Sequence, residues 1–537
     1  MPGLNAGALI TARGPEVMAI RTFWPIRRSL ASPTPDFMLR RSGARSFSLT
    51  DSERPDSEYN QLKLLLRGTA RAPSVFALPI WQTCSNQSSM GELMEQGSVI
   101  SWTGSTRRTR LEFSRVRGER LTHYLFRYPA KFHPPVARAL VERYSEPGHC
   151  VLDCFCGSGT LLIEALTLGR HALGTDVDPL AAWISDIKTR RYNTRKLERE
   201  VQPLRHDLRL LAKHRAPWRE HAVKDVGQSR FENIVKGEGL RLPAIPDIHH
   251  WFRRGVLIDL ARLHRAITQL EASRKHKQLV LLCFASILRN VSNADPVPVS
   301  GLEVTAHMRR KEEAGRVIDV FQQYERALER AQRAVAEWGL AFPRGMDISV
   351  KRADVRDLKQ VVNRQVNAII TSPPYFKAVD YYRRHALEMY WLGMTRDHAA
   401  RLELLPQYIG RSHVRAVEAE RNGHGAPGPL VARWLKRISK VCPRQSNAFA
   451  HYTLAMERAF IQMGATLHPR GLLVLVLGNS RWRGQAMPTC DIIAELATST
   501  FILQQRLYYP VQNRYMSYAR HNGADINAEH VLVFRKK

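Results

Sequence analysis

The stretch Val151-Leu152-Asp153-Cys154-Phe155-Cys156-Gly157-Ser158-Gly159-Thr160 narrows the folds open to this chain more than any other. A short apolar run ends in an acid, and two glycines at alternate positions lead into "LLIEALTLG" (161–169), a helical pattern closed by Gly169. "HALGTDV" (171–177) reads as a second strand, and "PLAAWISDIKT" (179–189) as a second helix with proline at its start. Strand, helix, strand, helix at this spacing builds a parallel, doubly wound α/β sheet. The pattern resumes in "ISVKRADV" (348–355), "NAIITSPP" (367–374), "GLLVLVLG" (471–478) and "EHVLVFRKK" (529–537).

Between these halves the periodicity is helical. Val256, Leu257, Leu260, Leu263, Ile267 and Leu270 form one apolar face. Val317, Phe321, Tyr324, Leu328, Ala331, Val335 and Trp338 follow at alternating four- and three-residue steps. That is a heptad seam, expected to end at Gly339 and to pack inside its own domain rather than in a dimer. The chain therefore divides into a basic, poorly ordered extension (1–110), a cofactor-binding half (111–190), a helical insertion (191–345) and a catalytic half (346–537).

The glycine loop excludes several chemistries. No lysine follows Gly159, as a phosphate-binding P-loop requires. A dinucleotide fingerprint needs a third glycine where Leu162 stands. Cys154 and Cys156 have no Cys or His pair at zinc spacing, and no metal is expected. What remains is a strand-to-helix turn whose glycines let a cofactor approach the backbone. Asp176, closing the second strand, is placed to accept both ribose hydroxyls of a nucleoside. Asp354, closing the next, is placed to accept from an adenine amino group.

Charge points to the partner. The 537 residues carry 81 Lys+Arg against 49 Asp+Glu, a formal +32, which favours a polyanion such as nucleic acid. Seven scattered cysteines fit a reducing cytoplasm better than a disulfide framework. The longest apolar runs fall short of a membrane span. Seven arginines in the first fifty residues give a transit-peptide composition without a convincing amphipathic helix, so a basic tail or an early start codon is the expectation.

The strand "NAII" stops at Thr371-Ser372-Pro373-Pro374-Tyr375, a rigid corner with two residues that cannot donate a backbone hydrogen bond. With that corner the chain resembles the class I S-adenosylmethionine-dependent methyltransferases, of the amino-methylating DNA kind. Asp153, Phe155, Gly157 and Gly159 match the family's cofactor motif, Asp176 its ribose acid, and TSPPY its catalytic motif. "HYLFRYPAKFHPP" (123–135), which contains Lys131, is similar to the segment that closes over the cofactor's methionine end. "FASILRNVSNAD" (284–295), "QYIGR" (407–411) and "GNSRWRG" (478–484) resemble stretches of one bacterial and archaeal branch. The likeness covers about 120 to 537, and Cys154 departs from it, since that branch carries proline there.

The resemblance implies a mostly parallel seven-stranded sheet with an inserted helical domain, and S-adenosyl-L-methionine as cofactor. It implies methyl transfer to the exocyclic amine of a base flipped out of double-stranded DNA. Ser372 and the Pro373 carbonyl would draw hydrogens from the amine, with Pro374 locking the corner and Tyr375 offering a stacking face. Serine before the prolines favours cytosine N4, with adenine N6 or an RNA base amine as alternatives. Arg383, Arg384, Arg481 and Arg483 are the expected nucleic-acid contacts, and Tyr381, Tyr382 and Trp482 lie among them. Arg289 and Asn290 mark the insertion as a candidate for target recognition. A restriction-modification or defence role would bring partner proteins.

Overall fold

The computed structural model describes residues 109–110, 120–129, 131–214, 225–296, 302–376, 381–411, 414, 428–510 and 528–537. The N-terminal extension up to residue 108 lies outside them.

Strands β1 (Thr109–Arg110), β2 (Cys150–Asp153), β3 (His171–Asp176), β4 (Ile348–Arg352), β5 (Val366–Thr371), β6 (Leu467–Gly478), β9 (Phe501–Pro510) and β10 (Ala528–Lys536) form one sheet, in the order β1-β9-β10-β6-β5-β2-β3-β4. Strand β10 runs antiparallel to both β6 and β9, and the remaining pairs are parallel. Seven strands make the expected doubly wound sheet. The eighth, the two-residue β1, comes from a segment whose sequence carries no strand pattern; it pairs with Leu507 and Tyr508 of β9. A separate two-stranded hairpin, β7 (Ser480–Trp482) and β8 (Gln485–Met487), follows β6.

The central strands are apolar throughout because both faces are covered. Alternate residues leave a strand on opposite sides. Leu152, Ile369, Leu473, Leu475 and Leu477 join one core with Phe449, Tyr452, Phe460 and Ile493 of the helices Pro443–Thr466 and Thr489–Ala497. Val151, Ala368, Ile370, Val474 and Val476 point the other way. They meet Val136 and Leu140 of helix α1 (Pro134–Tyr144) and Leu161 and Leu162 of α2 (Thr160–Thr167). Helix α3 (Pro179–Thr189) starts where Asp178 Oδ1 accepts the amides of Leu180 and Ala181, at 2.8 and 3.2 Å, with Pro179 at its first position.

After α3, the chain from α4 (Thr194–His214) to the helix Val320–Ala341 is helical among the described residues, with no strand until β4. Its core extends onto the flank of the sheet domain. Leu257, Phe284, Tyr324 and Leu328 share one cluster with Ile184 of α3, Phe126 and Tyr128 before α1, and Trp391 after β5. The heptad seam is buried within the molecule from Phe321 to Trp338. Two details differ from the sequence pattern. Val317 is exposed ahead of the helix, and the helix continues through Gly339 to Ala341.

Candidate active site

In the sheet order, β2-β3-β4 proceeds one way from the centre and β5-β6 the other. The crevice between β2 and β5 is therefore the switch point at which open α/β sheets bind ligands, outside the carboxyl ends of the strands. The glycine loop leaves β2 there, and the Ser-Pro-Pro corner leaves β5 beside it. A buried threonine joins the two. Thr371 Oγ1 donates to Asp153 Oδ1 at 2.6 Å and accepts the Phe155 amide at 3.2 Å. The Phe155 amide also lies 3.2 Å from Asp153 Oδ1. Asp153 is 1% exposed, and burial raises its carboxyl to about 7 while the Thr371 and Phe155 hydrogen bonds pull it back. It is a support beneath the loop and does not face solvent.

Asp176 closes β3 at the rim. Its Oδ2 accepts the Gly157 amide at 2.8 Å and its Oδ1 the Asp178 amide at 2.9 Å, which ties the loop to the next strand. Each oxygen keeps a second lone pair. Burial, then the neighbouring Asp178 charge, raises this carboxyl to about 7 as well. Gly157 and Gly159 have φ of +50° and +75°, the left-handed region that favours glycine. A Cβ on Gly159 would come within 2.9 Å of Ser185 Oγ, the hydroxyl that donates to the Gly157 carbonyl at 2.7 Å. Lys188, fully buried on α3, donates from Nζ to the Ser158 carbonyl at 2.5 Å. Burial lowers this ammonium well below the ordinary lysine value. Neither Ser185 nor Lys188 stands out in the sequence. Their helical spacing from Pro179 toward the glycine loop is the available signal.

Asp354 departs from expectation in its surroundings. It lies two residues past β4, beside the Asp176 carbonyl that accepts the Ala353 amide. Both its oxygens are taken by Arg356: Nε lies 2.9 and 3.0 Å from them, the Arg356 amide reaches Oδ1 at 2.9 Å, and Nη2 meets Oδ2. An adenine amine would have to compete with that guanidinium.

At the corner itself, Ser372, Pro374 and Tyr375 are partly exposed and Pro373 is buried. The Pro374 carbonyl is occupied by the Tyr452 hydroxyl at 3.1 Å. Among the described residues, nothing bonds to the Ser372 hydroxyl or the Pro373 carbonyl. Gly410 of the 407–411 stretch covers the corner from outside. Its φ is +86°, and a Cβ there would lie 3.0 Å from the Tyr375 carbonyl.

The segment before α1 lies against the glycine loop. A Cβ on Gly157 would meet the Tyr128 ring at 3.3 Å. Tyr128 stacks on Tyr381, with ring centroids 5.8 Å apart, and tilts against His385 at 4.8 Å. Lys131 instead places its ammonium 3.8 Å over the Tyr124 ring and 3.4 Å from the His123 carbonyl. Arg383 is exposed, with a guanidinium nitrogen 3.5 Å from the Leu302 carbonyl. Arg384 is 2% exposed, and its carbonyl accepts from Arg289 Nη1 at 2.7 Å. Arg289 and Arg384 are thus interior groups; burial lowers Arg384 to about 10. Arg481 and Arg483 are exposed at the tip of the β7–β8 hairpin, where Arg483 and Gly484 both have positive φ, as a tight hairpin turn requires. Trp482 is buried between them, with Nε1 donating to Gln445 Oε1 at 2.7 Å.

Residues 37–184, which include the glycine loop and Asp176, match the model of a family described as DNA methylase. The chain is 22% identical over 408 residues to the Type II methyltransferase M.MvaI of Kocuria varians, covering 72% of this chain and 83% of that protein. It is 21% identical over 415 residues to M.BsoBI of Geobacillus stearothermophilus, covering 70% and 77%. The family match and these relatives together support an amino-methylating DNA methyltransferase. Among solved structures the chain is similar to TrmN from Thermus thermophilus, with a TM-score of 0.26, 12% identity, and 76% and 50% of the two chains covered.

The family match implies S-adenosylmethionine as methyl donor, and the residues present fit it. The two positive-φ glycines expose backbone, Asp176 has acceptor positions left at the rim, and the buried hydroxyls of Ser158 and Thr160 have no partner among the described residues. Unsatisfied buried hydroxyls on a loop that opens a helix are groups a polar ligand would complete. No helix among the described residues is long and apolar enough to cross a membrane.

Proposed function

We propose that this methylase transfers a methyl group to the exocyclic amine of a base flipped from double-stranded DNA, at cytosine N4. One observation carries the reading: the Thr371–Asp153 hydrogen bond sets the Ser-Pro-Pro corner directly against the glycine loop at the switch point. The relatives named Type II methyltransferase support DNA as the polymer and restriction-modification as the setting.

An exocyclic base amine is a weak nucleophile because its lone pair is delocalised into the ring. Two acceptors at fixed positions draw its hydrogens away and localise that pair. Ser372 Oγ and the Pro373 carbonyl supply them, and the Tyr452 hydroxyl removes the Pro374 carbonyl from competition. Two proline φ angles hold the corner rigid, so little reorganisation is needed. Tyr375 provides a face for the flipped base. Bound S-adenosylmethionine supplies the methyl group. Asp176 would hold its ribose, with Gly157 and Gly159 allowing close approach and Phe155 lining the loop. Exposed Arg383, Arg481 and Arg483 serve the phosphates, whereas Arg384 supports the helix that carries Arg383.

Mass spectrometry of nucleosides from DNA and from RNA incubated with the enzyme and labelled cofactor tests the proposal. Labelled N4-methyldeoxycytidine from DNA is the expected product. N6-methyladenine would move the assignment to the other amine, and label confined to RNA would overturn DNA as the substrate. Ser372→Ala should abolish transfer with cofactor affinity retained; full activity in that variant would remove the mechanism.

A further inference from the structure

The ring of Tyr375 is held at its far end. Its hydroxyl lies 3.5 Å from Oε1 of Glu529, at the start of β10, and the Gly478 amide faces the same hydroxyl. The other Glu529 oxygen, Oε2, accepts the Tyr509 hydroxyl of β9. Register explains the grouping. Glu529 pairs with Tyr509 on one side and with Gly478 of β6 on the other. Residues directly opposite on neighbouring strands share a face of the sheet, so the carboxylate and the Tyr509 hydroxyl meet there. Tyr509 is 6% exposed, and its position is locked by the core below.

We infer that Glu529 is a positioning residue for the methyl transfer: it pins the Tyr375 hydroxyl to the β9–β10 edge and so fixes the ring face that receives the target base. The inference rests on the base-amine reading above and extends it to a strand outside the motif. An aromatic ring free to turn about its two side-chain torsions would lose entropy when a base stacks on it. A ring already held at its hydroxyl loses less, so the anchor favours the flipped state. The carboxylate presents one oxygen to each tyrosine, so a single side chain accepts from both phenols. Burial pushes the Glu529 carboxyl up, and its two tyrosine hydrogen bonds oppose that shift.

A double-mutant cycle decides the matter. Tyr375→Phe keeps the stacking face and removes only the anchored hydroxyl; Glu529→Ala removes the anchor. Labelled-methyl transfer to DNA is measured for each, with cofactor affinity measured in parallel. The extent of flipping is read from 2-aminopurine fluorescence in a duplex carrying the site mapped from the wild-type product. Each single variant should lower kcat/KM for DNA by about tenfold, the size of one lost buried hydrogen bond, and leave the cofactor Kd unchanged. The double variant should be no worse than either single one, and the 2-aminopurine signal should fall in all three. Glu529→Gln, which keeps one carbonyl acceptor, should recover most of the loss. Additive effects, or a fully active Tyr375→Phe, would overturn the inference. If Glu529→Ala does not fold, Tyr375→Phe alone decides, since it preserves volume. Absence of methyl transfer to DNA by the wild-type enzyme would instead strike the functional reading itself.

Discussion

Thr371 Oγ1 lies 2.6 Å from the Asp153 carboxylate, although the two residues are 218 positions apart in the chain. This contact joins the glycine loop after β2 to the Ser-Pro-Pro corner after β5. Thr371→Val preserves shape and removes the hydroxyl, leaving a buried carboxylate and the Phe155 amide each short of a partner. Such losses cost about 2–3 kcal/mol. Urea denaturation of the variant should show a drop of that size, and cofactor affinity should fall with it. Thr371→Ser should restore both. A valine variant as stable as the native chain would mean the hydroxyl contributes nothing.

The same pair makes stability depend on pH in a particular direction. Burial raises Asp153 to about 7 in the folded chain. Unfolded, it titrates at the ordinary carboxylate value. Between those two values the folded chain holds a proton that the unfolded chain has released, so stability declines as pH rises through that window. Asp153→Asn still offers an oxygen to Thr371 and Phe155 and carries no charge. The variant should exceed the native chain in stability at pH 8 by roughly 1–3 kcal/mol, with the gap shrinking as pH falls below about 7 and gone by about pH 4. A gap that is the same at both pH values would refute burial of the carboxylate as its cause.

Asp176 should show its raised value, about 7, in ligand binding. Accepting two ribose hydroxyls calls for the carboxylate form, so cofactor affinity should weaken as pH falls below 7, by at most about tenfold per unit. Asp176→Ala should weaken binding at every pH, and Asp176→Asn should flatten the pH dependence. Calorimetric titration with S-adenosylmethionine between about pH 5.5 and 8.5 measures both effects. Native affinity constant across that range would exclude Asp176 from the ribose site.

What the sequence conveys about this molecule follows a physical line. Strands such as Ala368–Ile370 and Leu472–Leu477 are legible because burial on both faces makes them apolar without interruption. Gly157, Gly159 and the two prolines are legible because few other residues tolerate those backbone conformations. Contacts set by strand order are not legible in the same way. Thr371 reaches Asp153 because β5 lies next to β2, and Glu529 reaches Tyr375 and Tyr509 because β10 inserts between β6 and β9. Nothing near these residues in the chain announces either neighbour. Burial of long polar side chains is hidden for a similar reason. Arg384 and Trp482 read as surface groups beside exposed arginines, yet the insertion covers the first and the helix bearing Gln445 covers the second. In Asp354, the sequence identifies the acid but gives no sign that Arg356, two residues on, occupies it.

The contrast between Arg383 and Arg384 supplies the remaining test. They are adjacent, but the first is exposed and the second is 2% exposed, near Glu388, with its carbonyl held by Arg289. A surface arginine on a DNA phosphate releases counterions, and each such contact contributes about −0.9 to the slope of log affinity against log salt. Arg383→Ala, Arg481→Ala and Arg483→Ala should each make that slope shallower by about one, with thermal stability unchanged. Arg384→Ala should behave differently, because it removes a buried cation that, together with Arg289, faces the Glu388 carboxylate. The fold should lose on the order of 3 kcal/mol, while the salt dependence of whatever binding survives keeps its native slope. Binding isotherms on duplex DNA at four or five salt concentrations, set beside melting curves, separate the two classes. An unchanged slope in all three exposed variants would show that DNA approaches a different face of the sheet.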